Sequence, residues 1–247
     1  MLARALRIAV ALFGAVWANL AVSAESALVE PIGYAENLRY FAFEQYGVQD
    51  GSGFAYSDIF VIDLSEDRWV VGTPIRMIGE TEEESLGAVR ARARAEAEPY
   101  FVDLAITVPA HLLASNGDGE PDADGKALTF ALPAPSGPGY RDGRFELRLE
   151  QYPAAAGSPC EEWFAEKALG FILKLTDFAP TREVHRDEVL PRSRGCPADY
   201  RIHSIYAPFG ATSVAHTLAL IAVYAHGFEG LDRRFVGIAL AKNQAGL

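Results

Sequence analysis

What most constrains this 247-residue chain is the way short apolar runs are cut by glycine and proline. Arg39–Tyr46 (RYFAFEQY) and Asp58–Leu64 (DIFVIDL) are rich in aromatic and β-branched residues in partial alternation, the pattern of strands. Between them, GVQDGSG at 47–53 supplies glycines that tolerate the positive φ angles of a hairpin turn. The same texture predicts strands at 127–132, 145–151, 169–176, 183–190 and 201–206, and a further one at 69–78 broken near Gly72 and Pro74. The runs 217–224 and 233–241 flank HGFEGLD and read as a closing hairpin. Segments 115–126 and 133–143 are loops by composition. So many short strands predict a mainly β fold of antiparallel sheets, sandwich or partial-propeller-like.

One stretch breaks the texture. From Thr81 to Glu98 the chain turns Ala-, Arg- and Glu-rich, with Leu86, Val89, Ala93 and Ala97 as a thin apolar stripe. Thr81 and Glu84 have capping-box spacing, and Arg92–Glu96 and Arg94–Glu98 are i,i+4 pairs. This predicts a surface helix near 82–98, ended or kinked by Pro99, within a helical insertion at 80–106. Trp163–Leu169 is compatible with a short helix.

The first 24 residues read as a secretory signal. Arg4 and Arg7 precede the apolar run Ile8–Ala18, and Val22-Ser23-Ala24 predicts cleavage after Ala24. Asn19 ends the run short of the about 20 apolar residues that span a bilayer. Residues 25–247 would then form one exported β-rich domain, periplasmic or secreted, with no membrane span after cleavage. Losing two arginines and no acids moves the formal charge from −11 to −13, which argues against nucleic acid as a partner. In an oxidising compartment the only cysteines, Cys160 and Cys196, are expected to form a disulfide.

Three segments carry a family resemblance: FAFEQYGVQDGSGFAYSDIFVIDL at 41–64, LPRSRGCPADY at 190–200 and GFEGLDRRF at 227–235. They resemble a bacterial family of predicted secreted proteins of unknown function, which implies export and no established chemistry. The hairpin opened by Tyr34–Phe43 and continued by Ile59–Leu64 is also similar to a β-propeller blade of the periplasmic Tol-system protein.

Chemistry-bearing motifs are sparse. Ser52 in Asp-Gly-Ser-Gly lacks the first glycine of a nucleophile elbow, and the five histidines show neither HxH nor HExxH spacing. Glu120, Asp122, Asp124 and Gly125 match four positions of a calcium loop, but Ala131 stands where a bidentate glutamate is required. We therefore expect no cofactor and no metal, with an acidic loop at 116–125 as the stronger alternative to calcium. The constellation with most chemical content pairs the two hairpin loops: Glu44, Asp50 and Ser52 from the first, and His226, Glu229, Arg233 and Arg234 from the last. Gathered on one rim, they would suit a small polar ligand or an unknown protein partner. The expectation is an exported binding or scaffold module without evident catalysis. The alternative is a periplasmic hydrolase in which Glu44 and Glu229 divide acid and base roles beside His226.

Overall fold

A computed structural model describes residues 24–137 and 139–241; the expected signal segment at 1–24 lies outside them except for Ala24. The chain opens with β1 (Leu28–Ala35), β2 (Tyr40–Val48) and β3 (Ala55–Asp63), then two short strands, β4 (Arg68–Trp69) and β5 (Ile75–Ile78). Helix α1 (Leu86–Asp103) follows, then β6 (Ile106–Val108), β7 (Ala110–Ser115), β8 (Ala127–Pro133) and β9 (Arg141–Pro153). After a one-turn helix α2 (Cys160–Phe164) come β10 (Leu169–Thr176), β11 (Arg182–Arg186), β12 (Pro197–Pro208), β13 (Leu218–His226) and β14 (Leu231–Ala239).

All pairing among these strands is antiparallel. The first sheet runs β4-β3-β2-β1-β6, with β4 and β5 end to end along the outer edge of β3. The second runs β11-β10-β9-β8 and the third β14-β13-β12-β7. The strand broken near Gly72 and Pro74 is thus two strands, separated by a cis Thr73–Pro74 bond.

The third sheet is the middle layer, and β13 shows why. Ala219, Ile221 and Val223 join Leu147, Phe171 and Leu173 in a core against the second sheet. The alternate residues Leu218, Leu220 and Ala222 join Phe41, Phe43 and Phe60 in a core against the first. A strand that buries both faces has no polar face to spare, hence the unbroken run LALIAV. The layers are also tied by hydrogen bonds. Tyr34 Oη donates to the Tyr206 carbonyl (3.0 Å), the Phe235 N–H donates to Gln45 Oε1 (2.8 Å), and the Ala239 N–H donates to Asp67 Oδ1 (3.1 Å).

Helix α1 covers the outer face of the first sheet and differs from its expected form. It starts at Leu86, capped by Ser85 Oγ accepting from the Ala88 N–H (3.2 Å). Glu84 instead accepts from the Glu80 N–H (2.8 Å), so Thr81 and Glu84 close a turn and form no capping box. Pro99 does not end the helix, which continues to Asp103. Nor do Arg92 and Arg94 pair along the helix. Arg92 reaches Glu84, while Arg94 and Arg90 reach down to the sheet.

That descent is what fixes the helix. Ala93 and Ala97 are small enough to let it approach Ile59 closely, yet with the buried Val89 they make only a thin apolar stripe. Charge supplies the rest. Glu44 on β2, with no exposed side-chain surface, accepts from Arg90 Nε (2.8 Å), Arg94 Nε (2.9 Å) and Ser57 Oγ (2.8 Å). Glu30 on β1 takes the outer sides of the same guanidiniums, at 2.5 and 3.1 Å. Burial would raise the Glu44 pKa, but the hydrogen bonds from Arg90, Ser57 and Arg94 outweigh it and hold it below the usual carboxylate range.

Glu44→Ala is expected to cost about 2–3 kcal/mol by urea denaturation, below the ~3–5 of fully enclosed pairs because both guanidiniums reach solvent. Cys160 and Cys196 are bonded across a separation of 36 residues. Their double serine variant should lose about 4 kcal/mol in the same assay, the loop-closure value for a span of that size.

Candidate functional site

The seven residues expected to form a ligand rim are dispersed into separate roles. Glu44 lies under α1, on the face of the first sheet opposite the last hairpin, and does not converge with His226 and Glu229. At the β2–β3 tip Ser52 Oγ donates to Gln49 Oε1 (3.0 Å), and the Asp50 carbonyl accepts from the Ser52 N–H (3.0 Å), so the pair shapes the turn. His226 stacks on Phe164 of α2 (4.4 Å between centroids), with Glu166 3.6 Å from its Nε2. Glu229 is exposed at the β13–β14 tip. Arg233 is buried, donating from Nε to the Ala27 carbonyl (3.0 Å) and from Nη1 to Asp118 (2.6 Å). Among the described residues Glu120, Asp122 and Asp124 do not come together as a group.

Of the seven, Arg234 lines a cavity. It belongs to a cleft of about 320 Å³ where the first and third sheets part. The β2–β3 side contributes Gln45, Gln49, Tyr56, Asp58 and Phe60; β4 and β5 contribute Trp69, Arg76 and Ile78. Val223, Ala225, Arg234 and Phe235 form the facing wall, and Pro191, Ser193 and Arg194 close one side. The disulfide holds that side in place: Leu190 and Cys196 pack on Cys160 and Ala168, and the Leu190 N–H donates to the Ala155 carbonyl (2.9 Å).

The cleft exists because β3 changes character along its inward face. Tyr56, Phe60 and Ile62 all belong to the core against the third sheet, but Asp58 falls on the same face between Tyr56 and Phe60. Asp58 accepts from Gln45 Nε2 (3.0 Å) and faces Arg76 across the β3–β5 pairing. Burial raises its pKa, only partly offset by Gln45 and Arg76. The Tyr56 ring lies flat against Gly47, where even a methyl group would stand 3.0 Å from its hydroxyl. The Arg234 guanidinium sits 4.8 Å over that ring and pairs with Glu25 at 2.5 Å. Burial, more than the neighbouring charges, pushes the Tyr56 hydroxyl far above its usual value. Carboxyl and hydroxyl groups shifted by burial beside a concave apolar wall are a recognised mark of a functional site. Asp58 and Tyr56 escape notice in the sequence because they sit inside strong strand runs. Their one signal is a polar residue on the face that also carries Phe60 and Ile62.

Comparison with known proteins places residues 42–241 in the family described as Predicted secreted protein (DUF2259). The chain belongs to that family. No curated protein and no solved structure matches it, and the likeness of the first hairpin to a propeller blade finds no support. No helix of the described residues is long and apolar enough to cross a membrane. The segments 41–64, 190–200 and 227–235, which carry the resemblance in the sequence, all contribute walls to the cleft.

Behind the Arg194 wall lies a buried charge relay. Arg194 is 3.6 Å from Asp187, which accepts from the Phe171 N–H (3.1 Å) and contacts His185 Nε2 (3.2 Å). His185 Nδ1 is 3.7 Å from Asp67 of the first sheet. Burial alone would lower the His185 pKa, but hydrogen bonds to Asp187 and Asp67 prevail and raise it. A folded-state pKa above the unfolded value of about 6.5 gives stability that is complete below that value and lost as pH rises through the folded-state pKa. The stability gap between wild type and His185→Gln, measured by urea denaturation, should therefore be wider at about pH 6 than at about pH 9.

Proposed function

We propose that this member of a predicted secreted family is an exported binding module whose ligand occupies the cleft between the first and third sheets. The observation that carries this reading is a cavity of about 320 Å³ whose lining includes the half-buried carboxyl residue Asp58 beside Tyr56. That volume lies within the range of small-molecule sites, and its lining has their character, mostly apolar with a few convergent polar groups. A residue chosen for packing alone at these inward positions would be apolar, as Phe60 and Ile62 are. The walls come from five stretches of chain, held by sheet pairing and by the disulfide, so the site is formed before a ligand arrives, which lowers the ordering cost of binding. The hydrolase alternative draws no support from Glu44, whose carboxylate is committed to Arg90, Arg94 and Ser57.

Native mass spectrometry of the protein purified from an envelope fraction should show one bound small molecule. Ser193→Trp, an exposed position at the cleft margin, should abolish that adduct with the melting temperature unchanged. A wild-type protein that emerges free of adducts, and whose melting temperature responds to no component of the envelope extract, would count against the reading.

A further inference from the structure

We infer that the ligand of this cleft is a small amphipathic anion, its acidic group held by Arg76 and Arg234 and its apolar body laid against Trp69, Phe60 and Ile78. This deepens the binding reading and rests on it.

The charges that line the cavity are unequal in number. Arg76, Arg194 and Arg234 line it against the single acid Asp58. The carboxylates that neutralise two of these arginines stand behind the wall: Glu25 against Arg234 and Asp187 against Arg194, both side chains under a tenth exposed. What an incoming molecule meets is therefore guanidinium, in a chain whose net charge is −11. Arg76 is exposed and makes no ion pair within 4 Å among the described residues. Across the β3–β5 pairing it stands opposite Asp58, whose own ionisation burial disfavours. A planar guanidinium with free donors accepts a carboxylate or sulfonate in two-point fashion, which a hydroxyl or amide cannot match.

The apolar half of the ligand is fixed by the same walls. Trp69 meets Phe60 edge-on at 5.3 Å and keeps 39% of its surface exposed, and Ile78 keeps 49%. Trp69 sits on β4 and Ile78 on β5, the strand that carries Arg76, both along the outer edge of β3. A cationic group with exposed aromatic and aliphatic surface on either side complements a molecule with one acidic head and a compact apolar body. It suits poorly a sugar or a polyanion, which would leave that surface wet.

The test uses two dyes that share a ring system and differ in charge: 1-anilinonaphthalene-8-sulfonate and the uncharged N-phenyl-1-naphthylamine, titrated by fluorescence into the folded protein at constant ionic strength. The sulfonate should bind at one site, about tenfold or more tighter than the neutral dye, as expected for one charge-assisted contact. Arg76→Gln should weaken the sulfonate about tenfold and leave the neutral dye unchanged, while Trp69→Ala weakens both. Equal affinities for the two dyes, unaltered by Arg76→Gln, would overturn the anion assignment and leave the cleft standing as a binding site. Absence of saturable binding by either dye, or binding indifferent to Trp69→Ala, would overturn the cleft itself.

Discussion

The double burial of β13 is the constraint on which the architecture rests. Every residue from Leu218 to Val223 is buried, and alternate side chains feed two different cores. A strand of that kind is stable only with a sheet on each side, because either face left in water would expose a continuous apolar stripe. The contrast with β9 is instructive. There Phe145, Leu147 and Leu149 point inward while Glu146, Arg148 and Glu150 point to solvent, so the second sheet is an outer layer with one wet face. The first sheet is covered on its far side by α1, held by ions more than by apolar contact.

The cleft follows from the same stacking. Two sheets of twisted strands stay in contact only where their facing residues can be packed dry. Along β3 this holds at Ile62, Phe60 and the ring of Tyr56 and fails at Asp58, whose carboxyl group costs free energy if enclosed without partners. Gln45 marks the transition. Its amide accepts from Phe235 of the third sheet and donates to Asp58, so one side chain both makes the cross-layer hydrogen bond at this end and holds the first polar residue of the cavity.

The fold was legible in the sequence to the extent that each strand carried its own signal. Leu169–Thr176 and the hairpins around Gly47–Gly53 and His226–Asp232 stand in the structure where their residues place them. β1 and β7 were not legible, because Pro31 and Gly33 dilute the first and His111 and Ser115 the second; their strand state is imposed by pairing to β2 and β12. The helix was legible as a helix but not in its limits. Ser85 outcompeted Thr81 as cap, and a proline fourteen residues in could be tolerated once the sheet held both sides of it. The rim residues were misjudged for a physical reason. Glu44 and Arg233 were read as loop-flanking charges, yet each is enclosed and matched by partners 46 and 115 residues away, distances over which a single sequence carries no pairing signal. Asp58 was hidden by the strength of its own strand.

The charge distribution separates two kinds of selection. At physiological ionic strength fields are screened over about 8 Å, so the acids spread across the outer surface act on large polyanions that must approach many of them at once. They act much less on a molecule small enough to enter the cleft, where the nearest charges are guanidiniums. A strongly acidic protein can thus keep a cationic interior wall without attracting nucleic acid or anionic lipid surfaces. Placing Glu25 and Asp187 behind Arg234 and Arg194 serves the same end. The arginines are compensated within the fold, which limits the cost of holding them near apolar walls. Since the disulfide anchors the segment bearing Arg194, the geometry of that compensation depends on the oxidised state that export provides.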